Sequence, residues 1–346
     1  MNRVLIVRLG ALGDIVHAIP VAAALRRARP AARIDWLVSA RHREILDLVP
    51  IIDRRLVIDG ESRSASGVTI LAAVGELRRA RYDVAIDLQG LIKSAALARI
   101  SGARTVVGFA SSYLRERLAR PFYTVVYDPG CGGIYDPRET RHVVQINLGL
   151  LQPLGITPGP PEFPIEVGES DVARTIRDRT AGRYALLNPG AAWPNKRWPA
   201  DRLGLVAAAL RDRYGLTSVA LWGEGERELA NEVVAHAGGA AVASPPASIP
   251  DLVALARGAA LMVSGDTGPT HIAGAVGTPI VAIFGPTRPS RNGPWSSADV
   301  TVSRADVCEC HHLRQCKRET MCLAEIQVDE VLDAIARRLA AHRVHV

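Results

Sequence analysis

The 346-residue sequence is poor in aromatic residues, 5% of the chain, and nearly lacks lysine, with Lys93, Lys196 and Lys317 the only three among 42 basic residues. So few rings argue against binding single-stranded nucleic acid by base stacking. No apolar run reaches the roughly 20 residues that a membrane-crossing helix needs. The start, MNRVLIVRLGALGD, turns polar and glycine-rich after four apolar residues, unlike a secretory signal, so a cytoplasmic protein is expected. No short-period tandem repeat marks a solenoid. The first glycine loop, RLGALGD, lacks the full G-x-G-x-x-G spacing, which weakens a dinucleotide reading.

What is present is an ordinary globular balance, 48% hydrophobic and 22% charged, in a chain long enough for two domains. The net charge of +7 is unevenly spread. Residues 1–160 carry 22 Lys+Arg against 14 Asp+Glu, and residues 161–346 carry 20 against 21. The basic excess therefore lies in the first half, which should face an anionic partner such as a nucleic acid, an anionic lipid or an acidic acceptor; a solubilising surface is the plain alternative. Where an arginine-rich chain keeps a lysine, a compact ammonium can be the requirement, which directs attention to Lys93 and Lys196.

Strand and helix alternate twice. Apolar runs at 3–7, 34–38, 56–58, 84–88 and 105–107 read as strands, and 15–27, 68–79 and 91–99 as helices, with Pro20 implying a kink or a late start in the first. The Pro/Gly-rich stretch 154–167 reads as a linker. The alternation then resumes, with strands at 184–187, 218–222, 261–263 and 279–284, helices at 199–213, 226–237 and 250–256, and a last helix from 328 to 343. The expected fold is α/β: two Rossmann-like parallel-sheet domains facing across a cleft, with ligands beyond the carboxyl ends of the strands.

The loops after the strands carry the polar chemistry. In RLGALGD, Asp14 stands where a helix begins, as an N-cap or a general base, with His17 a turn further on. DLQGLIKS offers Gln89 and Lys93; NPGAAWPNKRWP combines glycine with Lys196 and resembles a phosphate clamp in composition but not a P-loop in spacing. In WGEGERE, Glu224 could meet a ribose hydroxyl, and Glu226 reads as an acidic first helical turn. GDTGPTH opens a helix whose first N–H groups form an anion site, with Thr267 and Thr270 as added donors. Asp266 cannot itself welcome a phosphate, so it fixes the turn or holds a cation or a sugar hydroxyl.

Together RLGALGDIVHAIP, DLQGLIKSA, NPGAAWPNKRWP, SGDTGPTHIAGAVGTPIVAIFGPT and the cysteine-rich tail resemble glycosyltransferase family nine, the bacterial heptosyltransferases, along the whole chain and in family order. GDIVHAIP, DLQGLIKSA and WPNKRWP resemble heptosyltransferase I more than II. The resemblance implies a GT-B fold: an acceptor domain at 1–160, an ADP-sugar domain at 161–327, and a helix at 328–346 packing back toward the N-terminal domain. It implies metal-independent transfer of L-glycero-D-manno-heptose, with inversion, from ADP-heptose to Kdo of the lipid A inner core. No cofactor or nucleic acid is implied; peripheral contact with the anionic cytoplasmic face of the inner membrane is. By the same resemblance Asp14 is the base and Lys196 stabilises the departing ADP. Gly190, Ala191, Ala192, Lys196, Glu224, Asp266, Thr267, Gly268 and His271 line the donor site, and Gly13, His17, Gln89 and Lys93 the acceptor site. Many relatives have threonine near Ala191 or Ala192, so backbone N–H groups must replace that hydroxyl here.

The alternatives are a sibling acting on another acceptor, as heptosyltransferase II does, a sugar-nucleotide epimerase, and a non-catalytic nucleotide-binding module. Four of the five cysteines, Cys308, Cys310, Cys316 and Cys322, crowd the tail around His311 and His312. They read as reduced structural thiols, with a structural metal or a Cys308–Cys322 disulfide as alternatives.

Overall fold

A computed structural model describes residues 1–58, 74–136, 138–310, 313–316 and 318–343. The chain divides into two compact units, Met1–Glu166 and Val167–Val346, the division falling within the Pro/Gly-rich stretch. The first unit holds a six-stranded sheet of β1 (Arg3–Val7), β2 (Arg33–Ser39), β3 (Arg54–Ile58), β4 (Val84–Asp87), β5 (Thr105–Phe109) and β6 (Val125–Tyr127). Its order is β3-β2-β1-β4-β5-β6. The second holds β7 (Tyr184–Asn188), β8 (Thr217–Ala220), β9 (Ala241–Ala243), β10 (Leu261–Gly265), β11 (Ile280–Phe284) and β12 (Val300–Ser303). Read from its other edge, the order β9-β8-β7-β10-β11-β12 repeats that of the first sheet. All neighbouring strands pair in parallel.

This order places one topological switch point in each unit, where the chain finishes one flank of the sheet and crosses to start the other. In the first it lies between β1 and β4, with Val7 paired to Asp87; in the second between β7 and β10, with Asn188 paired to Ser264. Strands covered on both faces are apolar throughout, as Val4–Val7 and Ile280–Phe284 are, so their polar groups can emerge only at the ends.

Several elements depart from expectation. The helix expected over 15–27 is two, Leu12–Val16 and Ile19–Ala28, with Pro20 in the first turn of the second. The strands β6, β9 and β12 and the helices Arg43–Asp47, Val143–Gly149 and Asp171–Arg179 were not anticipated. Of the helix expected over 68–79, residues 74–79 are helical and 68–73 lie outside the described residues. The helix Val328–Arg343 falls within the second unit. Its Val331, Leu332, Ala334 and Ile335 lie in that unit's core. Among the described residues no helix is long and apolar enough to cross a membrane.

Candidate active site

At the first switch point the chain leaves β1 through Arg8 and turns into the helix Leu12–Val16, which carries Asp14. Arg8 is nearly buried; its Nη2 lies 2.6 Å from Asp14 Oδ2, and its Nη1 donates to the Leu88 carbonyl beyond β4. The Ala11 N–H also reaches Asp14 Oδ2, at 3.2 Å. Both contacts fall on Oδ2, and the Asp14 side chain keeps 25% exposure. Burial works against ionisation of this carboxyl, but the charges of Arg8 and Arg115 and the hydrogen bonds from Ala11 and Arg8 outweigh it, holding Asp14 below its ordinary value. The carboxyl is thus ionised at neutral pH.

Gln89 is committed to the loop: its Oε1 accepts from Leu9 N at 2.7 Å. Beneath it, buried Asp87 accepts from Gln89 N, Gly90 N, Ser94 Oγ and Tyr123 OH at 2.9, 3.3, 3.0 and 2.7 Å. Gly13 is buried within its helix. His17 is 5% exposed and packs edge-on against His142, at a centroid distance of 5.2 Å, as a core histidine does. Lys93 stands exposed on the helix Ile92–Ile100 and makes no hydrogen bond or ion pair among the described residues. The structure therefore joins Asp14 and Gln89 through Arg8 and Leu9. Arg8 and Asp87 were missed in the sequence.

At the second switch point Asn188, the last residue of β7, ties its own loop to the end of β10 and the turn that follows. Its Nδ2 donates to Gly190 O, Ser264 Oγ and Thr267 Oγ1 at 3.1, 3.2 and 3.0 Å. Lys196 Nζ lies 2.5 Å from Asp266 Oδ2 and 4.7 Å from the Trp193 ring centre. Asp266 Oδ2 also accepts from Thr287 Oγ1 at 2.8 Å, and Oδ1 meets His271 Nε2 at 3.1 Å. Burial opposes this charge as well; the hydrogen bond from His271 and the charge of Lys196 overcome it and hold Asp266 far below the ordinary carboxylate value. Thr270 Oγ1 is used on Gly265 O at 2.6 Å, and Thr267 and Thr270 lie 3.1 Å apart, so these hydroxyls brace the turn.

The helix Gly268–Ala275 then starts with Pro269 in its first turn and no side-chain cap, leaving its first N–H groups without intrahelical partners. Glu226, rather than Glu224, turns toward the glycine loop. A Cβ on Gly190 would overlap the Glu226 carboxylate, and Glu226 Oε1 lies 3.7 Å from Arg197 Nη2. Arg197 Nε donates to Ala191 O at 2.9 Å. Ala192 and Glu224 are exposed. A small loop that is apolar at Ala191 and Ala192, with a lysine and a helix N-terminus at its ends, is suited to hold a pyrophosphate by backbone N–H groups and charge.

A depression of about 540 Å³ in the first unit is lined by Arg117, Tyr135, Asp136 and Arg138, with Arg138 paired to Asp136 at 2.7 Å. The four cysteines of the tail, like Cys131 in the first unit, are free thiols. Burial pushes Cys308, Cys310 and Cys322 up, Cys310 to about 12, so none is a thiolate nucleophile at neutral pH. His311 and His312 lie outside the described residues.

A model of glycosyltransferase family 9 (heptosyltransferase) matches residues 70–322. The lipopolysaccharide heptosyltransferase 1 of Pseudomonas aeruginosa is 32% identical over 316 residues, covering 88% of this chain and 85% of that protein. Two solved structures share the fold. The family 9 glycosyl transferase of Veillonella parvula has a TM-score of 0.81 at 24% identity, covering 98% of this chain and 97% of that one. The E. coli heptosyltransferase WaaC with ADP has a TM-score of 0.75 at 23% identity, covering 97% and 99%. With two Rossmann-like sheets in the GT-B manner and a family match over most of its length, this chain belongs to glycosyltransferase family 9, the heptosyltransferases.

Proposed function

We propose that the chain acts in lipopolysaccharide core synthesis as a heptosyltransferase of the first type, moving L-glycero-D-manno-heptose from ADP-heptose to a Kdo hydroxyl of the lipid A inner core. The 32% identity to a lipopolysaccharide heptosyltransferase 1 supports this choice of subtype. Asp14 takes the proton of the attacking Kdo hydroxyl through Oδ1 while Arg8 holds Oδ2. The oxygen attacks the anomeric carbon from the face opposite the leaving group. The bond to the ADP oxygen breaks, and configuration inverts. Lys196 and the first N–H groups of Gly268–Ala275 take up the charge that develops on ADP, so no metal is needed for that step.

The observation that carries this reading is the Lys196–Asp266 pair, buried at the second switch point at 2.5 Å beside an uncapped helix start. Asp266 cancels the lysine charge at rest, so donor phosphate enters a site with a cation already placed. Asp266, His271 and Thr287 position Lys196, while Gly190, Ala191, Ala192 and Gly268 offer backbone to the donor. The basic excess of the first half suits an acceptor rich in phosphate and carboxylate and a peripheral place on the anionic cytoplasmic face of the inner membrane. Mass spectrometry of purified enzyme with ADP-heptose and Kdo-lipid A tests the reading: one added heptosyl group is expected. Consumption of ADP-heptose without acceptor, or transfer only to an already heptosylated acceptor, would overturn it.

A further inference from the structure

The tail loop follows β12 through the turn Ala305–Val307 and ends at a second turn, Cys322–Glu325. Between those turns its described aliphatic side chains face outward, Leu313 and Met321 being 43% and 36% exposed, while Leu323 in the second turn is buried in the unit's core. Its interior is sulfur instead: Cys308, Cys310 and Cys322 are buried against one another, with Cys316 packed on them. Ordering a loop costs conformational entropy that four small thiols cannot offset by apolar burial. Units without an adequate core are held by disulfides or metal ions, and here no disulfide is formed.

We propose that Cys308, Cys310, Cys316 and Cys322 bind one thiophilic metal ion, zinc or iron, as a structural site that braces the Lys196 loop. As placed, the thiols contact each other, and among the described residues no group of three ligands already surrounds an ion position. The Cys308–Cys310 edge is already close to the spacing a metal ion needs. The Sγ atoms of Cys308 and Cys310 are 3.4 Å apart, and a zinc tetrathiolate with Zn–S near 2.3 Å has sulfur–sulfur edges of about 3.8 Å. Along the Cys308–Cys310 edge, opening by a few tenths of an ångström (~0.4 Å) reaches that spacing. The four thiol protons leave to solvent as the ion enters. Four thiolates leave no open coordination position, so the ion's role is to hold structure.

Two neighbours connect the cluster to the donor loops. Asn195 Nδ2 lies 3.7 Å from Cys310 Sγ and donates to Leu313 O at 2.8 Å, and Asn195 directly precedes Lys196. Such an N–H group beside a ligand sulfur orients and tunes a thiolate. On the other side, a Cβ on Gly285 would lie 3.1 Å from Cys322 Sγ, and the same loop carries Thr287, which donates to Asp266. The coupling to the donor site rests on the role proposed above for Lys196; the metal site does not.

Metal analysis of the full chain, purified without a metal-affinity tag, combined with thiol titration under native conditions, tests the site. The expected result is about one zinc or iron per chain, with iron distinguished by its thiolate charge-transfer colour. Cys131 should be the one readily titrated thiol until a chelator releases the others. Cys316→Ser and Cys322→Ser should lose the ion, and Cys131→Ser should keep it. A test without variants adds Co²⁺ to the demetallated chain under reducing conditions and looks for a sulfur-to-cobalt charge-transfer band. Substoichiometric metal in the purified chain, together with no uptake of zinc, iron or cobalt, would overturn the proposal, as would full metal retention in both cysteine variants. Demetallation should also weaken ADP binding several-fold; unchanged ADP affinity would overturn the coupling while the metal analysis still stood on its own.

Discussion

Asp266 holds Lys196, His271 and Thr287 at once. Removing the lysine alone strands a buried carboxylate. Lys196→Met is therefore expected to lose about 3–5 kcal/mol of stability, read by urea unfolding, in addition to ADP affinity. Lys196→Met with Asp266→Asn should recover most of the stability and none of the affinity, which isothermal titration with ADP separates. The pH dependence follows from the direction of the shifts. Asp266 and Asp14 are both held below their ordinary value of 3.8, so what they contribute is fully present above that value and lost as pH falls through the lower folded value. Neither group should impose a slope on stability or on kcat/KM between about pH 5 and 8; both effects should appear below about pH 4. A titration step near pH 6 in kcat/KM that vanishes in Asp14→Asn would contradict this. At this scale the sequence was partly legible. Asp14, Lys196 and Asp266 stood out as polar residues after apolar runs. Arg8 did not, because a lone arginine is unremarkable in a chain that uses arginine almost everywhere. Spacing could not say which of Glu224 and Glu226 faces the glycine loop; the space left by Gly190 is what admits Glu226 there.

Elements meet at the switch points with little room to spare. A Cβ on Gly265, the last residue of β10, would lie 2.9 Å from the Lys196 carbonyl oxygen, a backbone atom that cannot swing away. Gly265→Ala should displace the Lys196 loop, costing about 1–3 kcal/mol of stability by overpacking and weakening ADP binding, with ADP titration as the check. The C-terminal helix is fixed by a different device. Arg338 Nε lies 2.7 Å from Asp299 Oδ1, with side chains 8% and 2% exposed. Arg338→Met leaves Asp299 buried without its cation and should cost about 3 kcal/mol, seen as a lower unfolding midpoint in urea. The inner strands were readable because burial on both faces makes them unbroken apolar runs. The outer strands β6, β9 and β12 were not, since three or four half-buried residues at a sheet margin carry no such signal. The return of the terminal helix toward the other half came only from the family resemblance, since the residues of 328–343 show a helix but not what it packs on.

In the whole molecule, one strand order is used twice, and each copy places a charged pair at its switch point: Arg8 with Asp14 in the first, Lys196 with Asp266 in the second. The duplicated architecture was legible from the alternation of runs on either side of 154–167. Partnerships between residues far apart in sequence, such as Tyr123 with Asp87, were not. The basic excess of the first half predicts binding to vesicles of anionic lipid that falls steeply as salt is raised through the physiological range; salt-independent binding would point to an apolar contact instead. The division of labour between the pairs is tested most directly by Asp14→Asn, which keeps the shape and the Arg8 contact but removes the proton acceptor. Heptosyl transfer from ADP-heptose to Kdo-lipid A should fall by roughly 10²–10⁴-fold while ADP-heptose binds with unchanged affinity. Transfer within about tenfold of the unaltered enzyme, or a parallel loss of donor binding, would contradict a base in the first unit acting with a leaving-group clamp in the second.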